Sequence, residues 1–173
     1  MKIRGKIKSD KMKVKILSES PEETQKIASF FINAVWQQKN LKRKQAYLRR
    51  QALVISLEGS LGSGKTEFLK GIAKGIKLRE RVFSPTFLIM KRFTLKHKPF
   101  RFLWHLDCYR LKRISEMKEL DFQEIIKNPQ NIIFIEWGDK IKRLLPKNHW
   151  QIKFTIKGEN KRLLEFYEKI RHY

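Results

Sequence analysis

A glycine-rich segment, GSLGSGKT at residues 59–66, is the feature that most constrains the fold of this chain. It follows the apolar run ALVISL at residues 52–57, which has the length and composition of a strand buried on both faces. After the segment, apolar side chains recur at helical spacing: Phe68, Leu69, Ile72, Ala73 and Ile76. The pattern therefore predicts a buried strand, a tight loop and a helix in direct succession.

The segment matches G-x-x-x-x-G-K-[ST], the pattern of phosphate-binding loops. Gly59, Gly62 and Gly64 allow positive φ angles and a close approach of the backbone, so consecutive N–H groups can converge on an anion. The helix adds unpaired N–H groups and the positive end of its dipole. Lys65 is suited to span the β and γ phosphates, and the Thr66 hydroxyl to bind Mg²⁺. We expect ATP or GTP to be bound by Gly59, Ser60, Leu61, Gly62, Ser63, Gly64, Lys65 and Thr66.

Two acidic residues end apolar runs elsewhere in the chain. Asp107 ends FRFLWHLD, and Glu136 ends NIIFIE. Magnesium prefers oxygen ligands, so a carboxylate at the end of a neighbouring buried strand is expected beside a phosphate-binding loop. Either acid could orient the metal or the attacking water, and the sequence leaves open which of them touches the metal. A solvated acid at a strand end is the alternative for each.

The rest of the chain predicts alternating strands and helices. SPEET at residues 20–24 resembles a capped helix start, and Ile27, Phe30, Phe31, Ala34 and Val35 follow at helical spacing. Residues 87–93 and 100–106 are expected to form a hairpin, as are residues 152–156 and 163–167. A short strand at 12–17 and one or two helices at 115–127 complete the pattern. The prediction is an α/β, P-loop NTPase-like three-layer fold with a mixed, mainly parallel central sheet and antiparallel hairpins.

Composition narrows the class of protein further. Forty Lys and Arg against seventeen Asp and Glu give a net charge of +23, which favours a polyanionic partner such as RNA; a basic surface without such a partner is the alternative. The basic residues are dense at 1–11, where we expect a flexible arm, and in a segment at 37–50. We expect no membrane span, no secretory signal and a cytoplasmic location.

The motifs together resemble the TsaE (YjeE) family, bacterial ATPases of tRNA threonylcarbamoyladenosine biosynthesis. GSLGSGKT is followed, in the order typical of that family, by SPTF at 84–87, HLDCYR at 105–110 and IEW at 135–137. The resemblance runs from SPEET to about Pro146. It implies that residues 1–173 form a single P-loop ATPase domain with an insertion at 37–50.

The resemblance also implies roles for individual residues. Lys65 and Asp107 resemble catalytic residues of the family, and Thr66 and Glu136 resemble its magnesium-binding pair, with Glu136 also counted among the catalytic groups. Ser84, Pro85 and Thr86 correspond to a switch-like loop of the family. Thr24 and Trp137 correspond to residues beside its nucleotide. Three positions depart from the family pattern: Ser60, Glu67 and Cys108 stand where Asp, Thr and Leu are usual.

The function implied is that of an ATP-hydrolysing subunit, using ATP and Mg²⁺. It would act with TsaB and TsaD in modifying the adenosine beside the anticodon, would contact tRNA directly or through the complex, and would reset the complex between turnovers. Hydrolysis is expected to be weak without the partners. The alternatives are a small-molecule P-loop kinase and a basic RNA-binding module whose nucleotide is structural.

Overall fold

In the part of the chain that the structure describes, seven strands form one sheet with helices on both faces. The structure is a computed structural model, and it describes residues 10–41, 51–78, 89–96 and 100–169. The strands are β1 (Asp10–Ser18), β2 (Leu53–Glu58), β3 (Met90–Thr94), β4 (Phe102–Asp107), β5 (Asn131–Glu136), β6 (His149–Ile156) and β7 (Arg162–Lys169). The helices are α1 (Pro21–Leu41), α2 (Lys65–Gly75), α3 (Glu116–Glu119), α4 (Phe122–Lys127) and a 3-10 helix (Gly138–Ile141).

The sheet is parallel at its centre and antiparallel at both edges. Its order is β1-β7-β6-β2-β5-β4-β3. Strands β6, β2, β5 and β4 run parallel to one another, whereas β3 pairs antiparallel with β4, and β7 pairs antiparallel with both β6 and β1. The predicted α/β class and mixed sheet are confirmed. The carboxyl ends of the four central strands meet at one edge, which is where open α/β sheets bind ligands.

Each face of the sheet carries its own apolar core. Helices α1 and α2 pack over one face around an aromatic cluster of Phe31, Phe68, Trp150, Phe154 and Phe166. The opposite face is covered by α3, α4 and the 3-10 helix, with Met117, Phe122, Ile126 and Ile141 packed on β5. Strand β5 is buried along its whole length because it lies between both layers. This explains why its sequence is a continuous apolar run.

Helix α1 begins as predicted, and its buried face differs from the prediction at one position. The N–H of Glu23 donates to the Ser20 hydroxyl at 3.1 Å, and the Glu23 carboxylate accepts from the N–H of Glu19 at 2.7 Å. These bonds cap the first turn. The predicted apolar stripe is confirmed at Phe31 and Val35, which are buried, and was wrong at Phe30, which is 78% exposed. Ala28 and Ile32 complete the buried face.

Several predicted segments extend into residues outside the described ranges. Strand β1 begins at Asp10 and pairs with β7, while residues 1–9 of the predicted arm are not described. The basic segment contributes its first residues, 37–41, to α1, and 42–50 lie outside the description. The assignment of one domain to the whole chain stays a prediction. None of the described helices combines the length and hydropathy that a bilayer span requires.

Candidate nucleotide-binding site

The glycine-rich loop joins the carboxyl end of β2 to the first residue of α2. The φ angle is +154° at Gly59, +73° at Gly62 and +97° at Gly64, which is the N-cap of α2 and has no side-chain cap. The first N–H groups of a helix have no intrahelical acceptor, and they carry the positive end of its dipole. The loop and the helix therefore form a nest suited to a phosphate group.

Lys65 crosses this nest. Its side chain is 4% exposed, and Nζ donates to the carbonyl oxygens of Gly59 and Ser60, both at 2.8 Å, and to Ser63 Oγ at 3.4 Å. Burial lowers the pKa of Lys65 below its ordinary 10.5, while the carboxylates of Glu136, Asp107 and Asp139 act in the opposite direction. The ammonium group is thus held within the loop itself, at the position where a phosphate-binding lysine is needed.

The two predicted acids meet beside this lysine. Asp107 and Glu136 are register partners at the ends of the parallel strands β4 and β5. Glu136 is 4% exposed, and Thr66 Oγ1 lies 3.4 Å from its Oε2 atom. Asp107 is half-buried, and its Oδ1 accepts the N–H of Tyr109 at 2.9 Å. The hydroxyl and carboxylate oxygens of Thr66 and Glu136 are of the kind that Mg²⁺ prefers, so this pair fits the predicted metal site.

His105 lies behind Glu136. The side chain is fully buried on β4, and its Nε2 atom is 3.0 Å from Glu136 Oε1. Its other ring nitrogen, Nδ1, is buried and has no hydrogen-bond partner in the part of the chain that the structure describes. His105 therefore contacts the acid and lies at the back of the site, which fits a hydrogen-bonded strand residue.

Trp137 covers the lysine from the other side. Its φ angle of 59° is uncommon for a bulky residue, and its N–H donates to the carbonyl of Leu57 at 3.0 Å. The Lys65 Nζ atom lies 4.2 Å from the centroid of the Trp137 ring, and the ring of Tyr109 lies 5.1 Å beyond. Lys140 lies over Tyr109 at 5.4 Å. The two rings thus lie between two cations, one in the loop and one in the 3-10 helix.

The remaining predicted site residues are one residue bonded within the β1–α1 corner and three outside the described ranges. Thr24 is 1% exposed at the corner between β1 and α1, where its hydroxyl bonds to Ser18 Oγ at 2.8 Å and to the Ser20 carbonyl at 3.2 Å. A role for Thr24 near the nucleotide stays a prediction. Ser84, Pro85 and Thr86 fall in residues 79–88, outside the description.

Glu67, one of the departures from the family pattern, ties two helices together. Its carboxylate accepts from Gln25 of α1 at 2.7 Å and from Lys70 at 2.5 Å. Burial raises the pKa of Glu67, but the hydrogen bonds from Lys70 and Gln25 outweigh it and hold the pKa below the ordinary 4.5. This residue therefore links α1 to the helix that follows the phosphate-binding loop.

Sequence reasoning missed three residues of the site. Tyr109 lies within HLDCYR and Asp139 two residues after IEW, but neither motif shows that the Tyr109 ring contacts Trp137 or that Asp139 acts on Lys65. Arg162 is far from the loop in sequence, yet Nη2 donates to the Gly62 carbonyl at 3.1 Å. Since β6 is parallel to β2, the turn after β6 lies at the same edge as the loop. This contact could be predicted from the sequence only if the order of the strands in the sheet were already known.

This arrangement places the protein in the P-loop class of α/β proteins, because the loop, the lysine and the two strand-end acids converge at the carboxyl edge of a parallel sheet. The model of the family Threonylcarbamoyl adenosine biosynthesis protein TsaE matches residues 18–164. The chain belongs to the TsaE family.

Individual relatives agree with this assignment. A tRNA threonylcarbamoyladenosine biosynthesis protein TsaE of Bacillus subtilis is 33% identical over 147 residues, which cover 85% of this chain and 80% of the relative. The protein of the same name from Rickettsia felis is 37% identical over 126 residues, or 70% and 71% of the two chains. The crystal structure of Bacillus subtilis YdiB superposes with a TM-score of 0.64 at 28% identity, covering 94% of this chain and 90% of that one.

Proposed function

We propose that the protein binds ATP with Mg²⁺ and hydrolyses it as a subunit of the machinery that makes threonylcarbamoyladenosine in tRNA. The proposal is supported by the family, whose members bear the name of that pathway, and by the site. A single observation supports the chemistry: Lys65, Thr66 and Glu136 converge at the N-terminal end of α2. Threonylcarbamoyl transfer to the adenosine beside the anticodon would be made by TsaD with TsaB. Hydrolysis by this subunit would reset the complex in the cytoplasm.

Each residue of the site then has a defined task. The loop amides bind the phosphate oxygens, and Lys65 exchanges its bonds to the Gly59 and Ser60 carbonyls for bonds to the β and γ phosphates. Thr66 and Glu136 would hold Mg²⁺, which neutralises the charge developing on the phosphates. Asp107, more accessible than Glu136, orients the attacking water. The loop at residues 84–86 would sense the γ phosphate, so that its order follows the state of the nucleotide.

Binding of nucleotide is tested by calorimetry with Mg-ATP on the wild-type protein and on Lys65→Met. Methionine cannot donate the two charge-assisted hydrogen bonds that Lys65 would make to the β and γ phosphates, so we expect the affinity for Mg-ATP to fall at least about a hundredfold. Lys70→Met, in the next turn of the same helix, is the matched control because Lys70 pairs with Glu67 and not with the loop. Equal affinity of all three proteins would contradict the proposal.

The reaction is tested by measuring phosphate release with and without TsaB and TsaD. We expect negligible hydrolysis by the isolated subunit and measurable hydrolysis in the complex, because the partners are needed to order the site. Strong hydrolysis by the isolated subunit would count against this role. Transfer of the γ phosphate to a metabolite would instead identify a kinase. Salt-dependent tRNA binding that is unaffected by Lys65→Met, together with intact complementation, would favour an RNA-binding module.

A further inference from the structure

Arg162 connects the last hairpin of the sheet to the phosphate-binding loop. Its guanidinium group donates through Nη1 to three carbonyls of the turn between β6 and β7: Gly158 at 2.9 Å, Glu159 at 3.0 Å and Lys161 at 2.9 Å. Through Nη2 it donates to the carbonyl of Gly62, at the apex of the loop, at 3.1 Å. One planar group therefore joins two segments that are a hundred positions apart in the chain.

The bond to Gly62 fixes one peptide group from both sides. Arg162 holds the carbonyl oxygen of Gly62, and the N–H of Ser63, which belongs to the same peptide group, donates to the Ser60 carbonyl at 3.2 Å. The Cγ atom of Arg162 also lies 3.7 Å from the position that a Cβ atom would take at Gly64. Because a peptide group is planar, fixing this one restricts the direction of the N–H groups that follow it in the nest.

Only arginine has the donors for this geometry. Its planar fork presents several N–H groups in fixed directions, whereas the lysine ammonium is a compact charge on a flexible stem. Arg162 is half-buried, and its buried Nε atom has no hydrogen-bond partner among the described residues, so the side chain is held in place at a cost in solvation. The four carbonyl contacts through Nη1 and Nη2 offset that cost.

We propose that Arg162 is a positioning residue for nucleotide binding, which sets the phosphate-binding loop in its receptive conformation by holding the Gly62 carbonyl. The inference rests on the proposed function, since it concerns the binding of polyphosphate by the same loop. Through Arg162, the β6–β7 hairpin supports the apex of the phosphate-binding loop. ATP and ADP should be affected alike, because the loop contacts the phosphates that they share.

The test compares Arg162→Lys with two controls in the full-length protein. Arg101→Lys makes the same substitution just before β4, at the edge of the sheet opposite the site. Asn160→Gly loosens the β6–β7 turn at a residue whose carbonyl does not bond to Arg162. Affinities for Mg-ATP and Mg-ADP are measured by calorimetry, thermal midpoints by circular dichroism, and amide exchange at Ser63 and Gly64 by NMR in nucleotide-free protein.

We expect Arg162→Lys to weaken the binding of both nucleotides about tenfold, as the loss of one charge-assisted hydrogen bond would do, and to speed exchange at Ser63. Both controls should keep wild-type affinity. Wild-type affinity in Arg162→Lys, or an equal loss in Asn160→Gly, would overturn the inference. If the wild-type protein binds no nucleotide, the proposed function fails. The exchange rates then still decide whether Arg162 orders the loop.

Discussion

The Nε2 atom of His105 lies 3.0 Å from Oε1 of Glu136, and both side chains are buried. The second oxygen of the same carboxylate faces the Thr66 hydroxyl at 3.4 Å. His105 and Thr66 therefore contact different oxygens of one carboxylate. The Glu136 carboxylate at the candidate site is therefore contacted on one oxygen by a residue that is fully buried in the sheet.

Replacing His105 by leucine should leave the Glu136 carboxylate buried without its partner. Removing one member of a buried pair costs about 2–4 kcal/mol in the free energy of unfolding. His105→Gln, whose amide can donate to the same oxygen, should lose much less. Urea unfolding of the three proteins measures the difference. Equal free energies of unfolding for His105→Leu and His105→Gln would show that the hydrogen bond to Glu136 does not stabilise the fold.

Substitutions of Glu136 and Asp107 should differ in how they change the magnesium dependence of ATP binding. Glu136→Gln removes a charge beside Thr66, so we expect the affinity for ATP to lose most of its dependence on the Mg²⁺ concentration. Asp107→Asn should keep that dependence and lower hydrolysis in the complex about a hundredfold or more, as expected for loss of a group that orients water. Calorimetry across a magnesium titration, with phosphate release in parallel, distinguishes them. The reverse pattern would exchange the two roles.

Gly59 and Gly62 should differ sharply in their tolerance of a side chain. A Cβ atom at Gly59 would lie 2.6 Å from the backbone oxygen of Phe154 and 2.7 Å from Ser63 Oγ, at a φ angle of +154°. Gly59→Ala should therefore destabilise the protein by more than about 2 kcal/mol.

At Gly62 the φ angle is +73°, and no atom of the described residues beyond its chain neighbours lies within 4 Å of the Cβ position. Asparagine tolerates this conformation, so the free energy of unfolding of Gly62→Asn should stay within about 0.5 kcal/mol of wild type. Thermal and urea unfolding of the two variants provide the comparison. Equal loss in both would show that neither clash nor backbone angle distinguishes the positions.

Phe30 and Phe31 offer a matched pair on α1. The ring of Phe31 lies 5.2 Å from Trp150 and 5.3 Å from Phe166, so Phe31→Ala should cost about 3–5 kcal/mol through the cavity it leaves. Phe30 is 78% exposed, and Phe30→Ala should stay within about 0.5 kcal/mol of wild type. Urea unfolding measures both. A large loss at Phe30 would place that ring against a surface that the described residues do not provide.

Cys108 should be unreactive in the folded protein. Burial, with the nearby charge of Asp107, raises the pKa of its thiol from 9.0 to about 12. The thiolate is the nucleophile, so alkylation by iodoacetamide at pH 8 should be slow in the native state and fast in denaturant. Fast labelling of native protein would contradict the buried position.

The same thiol makes stability depend on alkaline pH. The unfolded chain loses its thiol proton at its ordinary pKa, and the folded chain does so only near 12. Its contribution is therefore fully present below pH 9.0 and is lost as the pH rises toward about 12. The stability difference between wild type and Cys108→Ala should shrink across that interval. A difference that is independent of pH would show that the thiol does not titrate there.

The sequence was most informative where function depends on neighbouring residues. Strand β2, the glycine loop and α2 were predictable because the motif, the strand and the helix are contiguous. The convergence of Asp107 and Glu136 was predictable because parallel strands end at one edge. The buried face of α1 was predicted wrongly at Phe30, since Phe30 and Phe31 are adjacent and only the packing against the sheet selects one.

Long-range contacts were beyond the sequence patterns. The bond from Arg162 to Gly62 depends on the strand order, on the register of β6 with β7 and on the length of the turn between them. The left-handed backbone of Trp137 depends on the bond from its N–H to Leu57, which the motif IEW does not reveal. Such features arise from the assembled sheet.

The position of β6 in the sheet has a consequence for synthesis of the protein. Strand β6 is a direct neighbour of β2, although β3, β4 and β5 lie between them in the chain. On the ribosome, a nascent chain that ends after β5 carries the whole glycine motif. It still lacks the strand on one side of β2 and the arginine whose side chain contacts the Gly62 carbonyl.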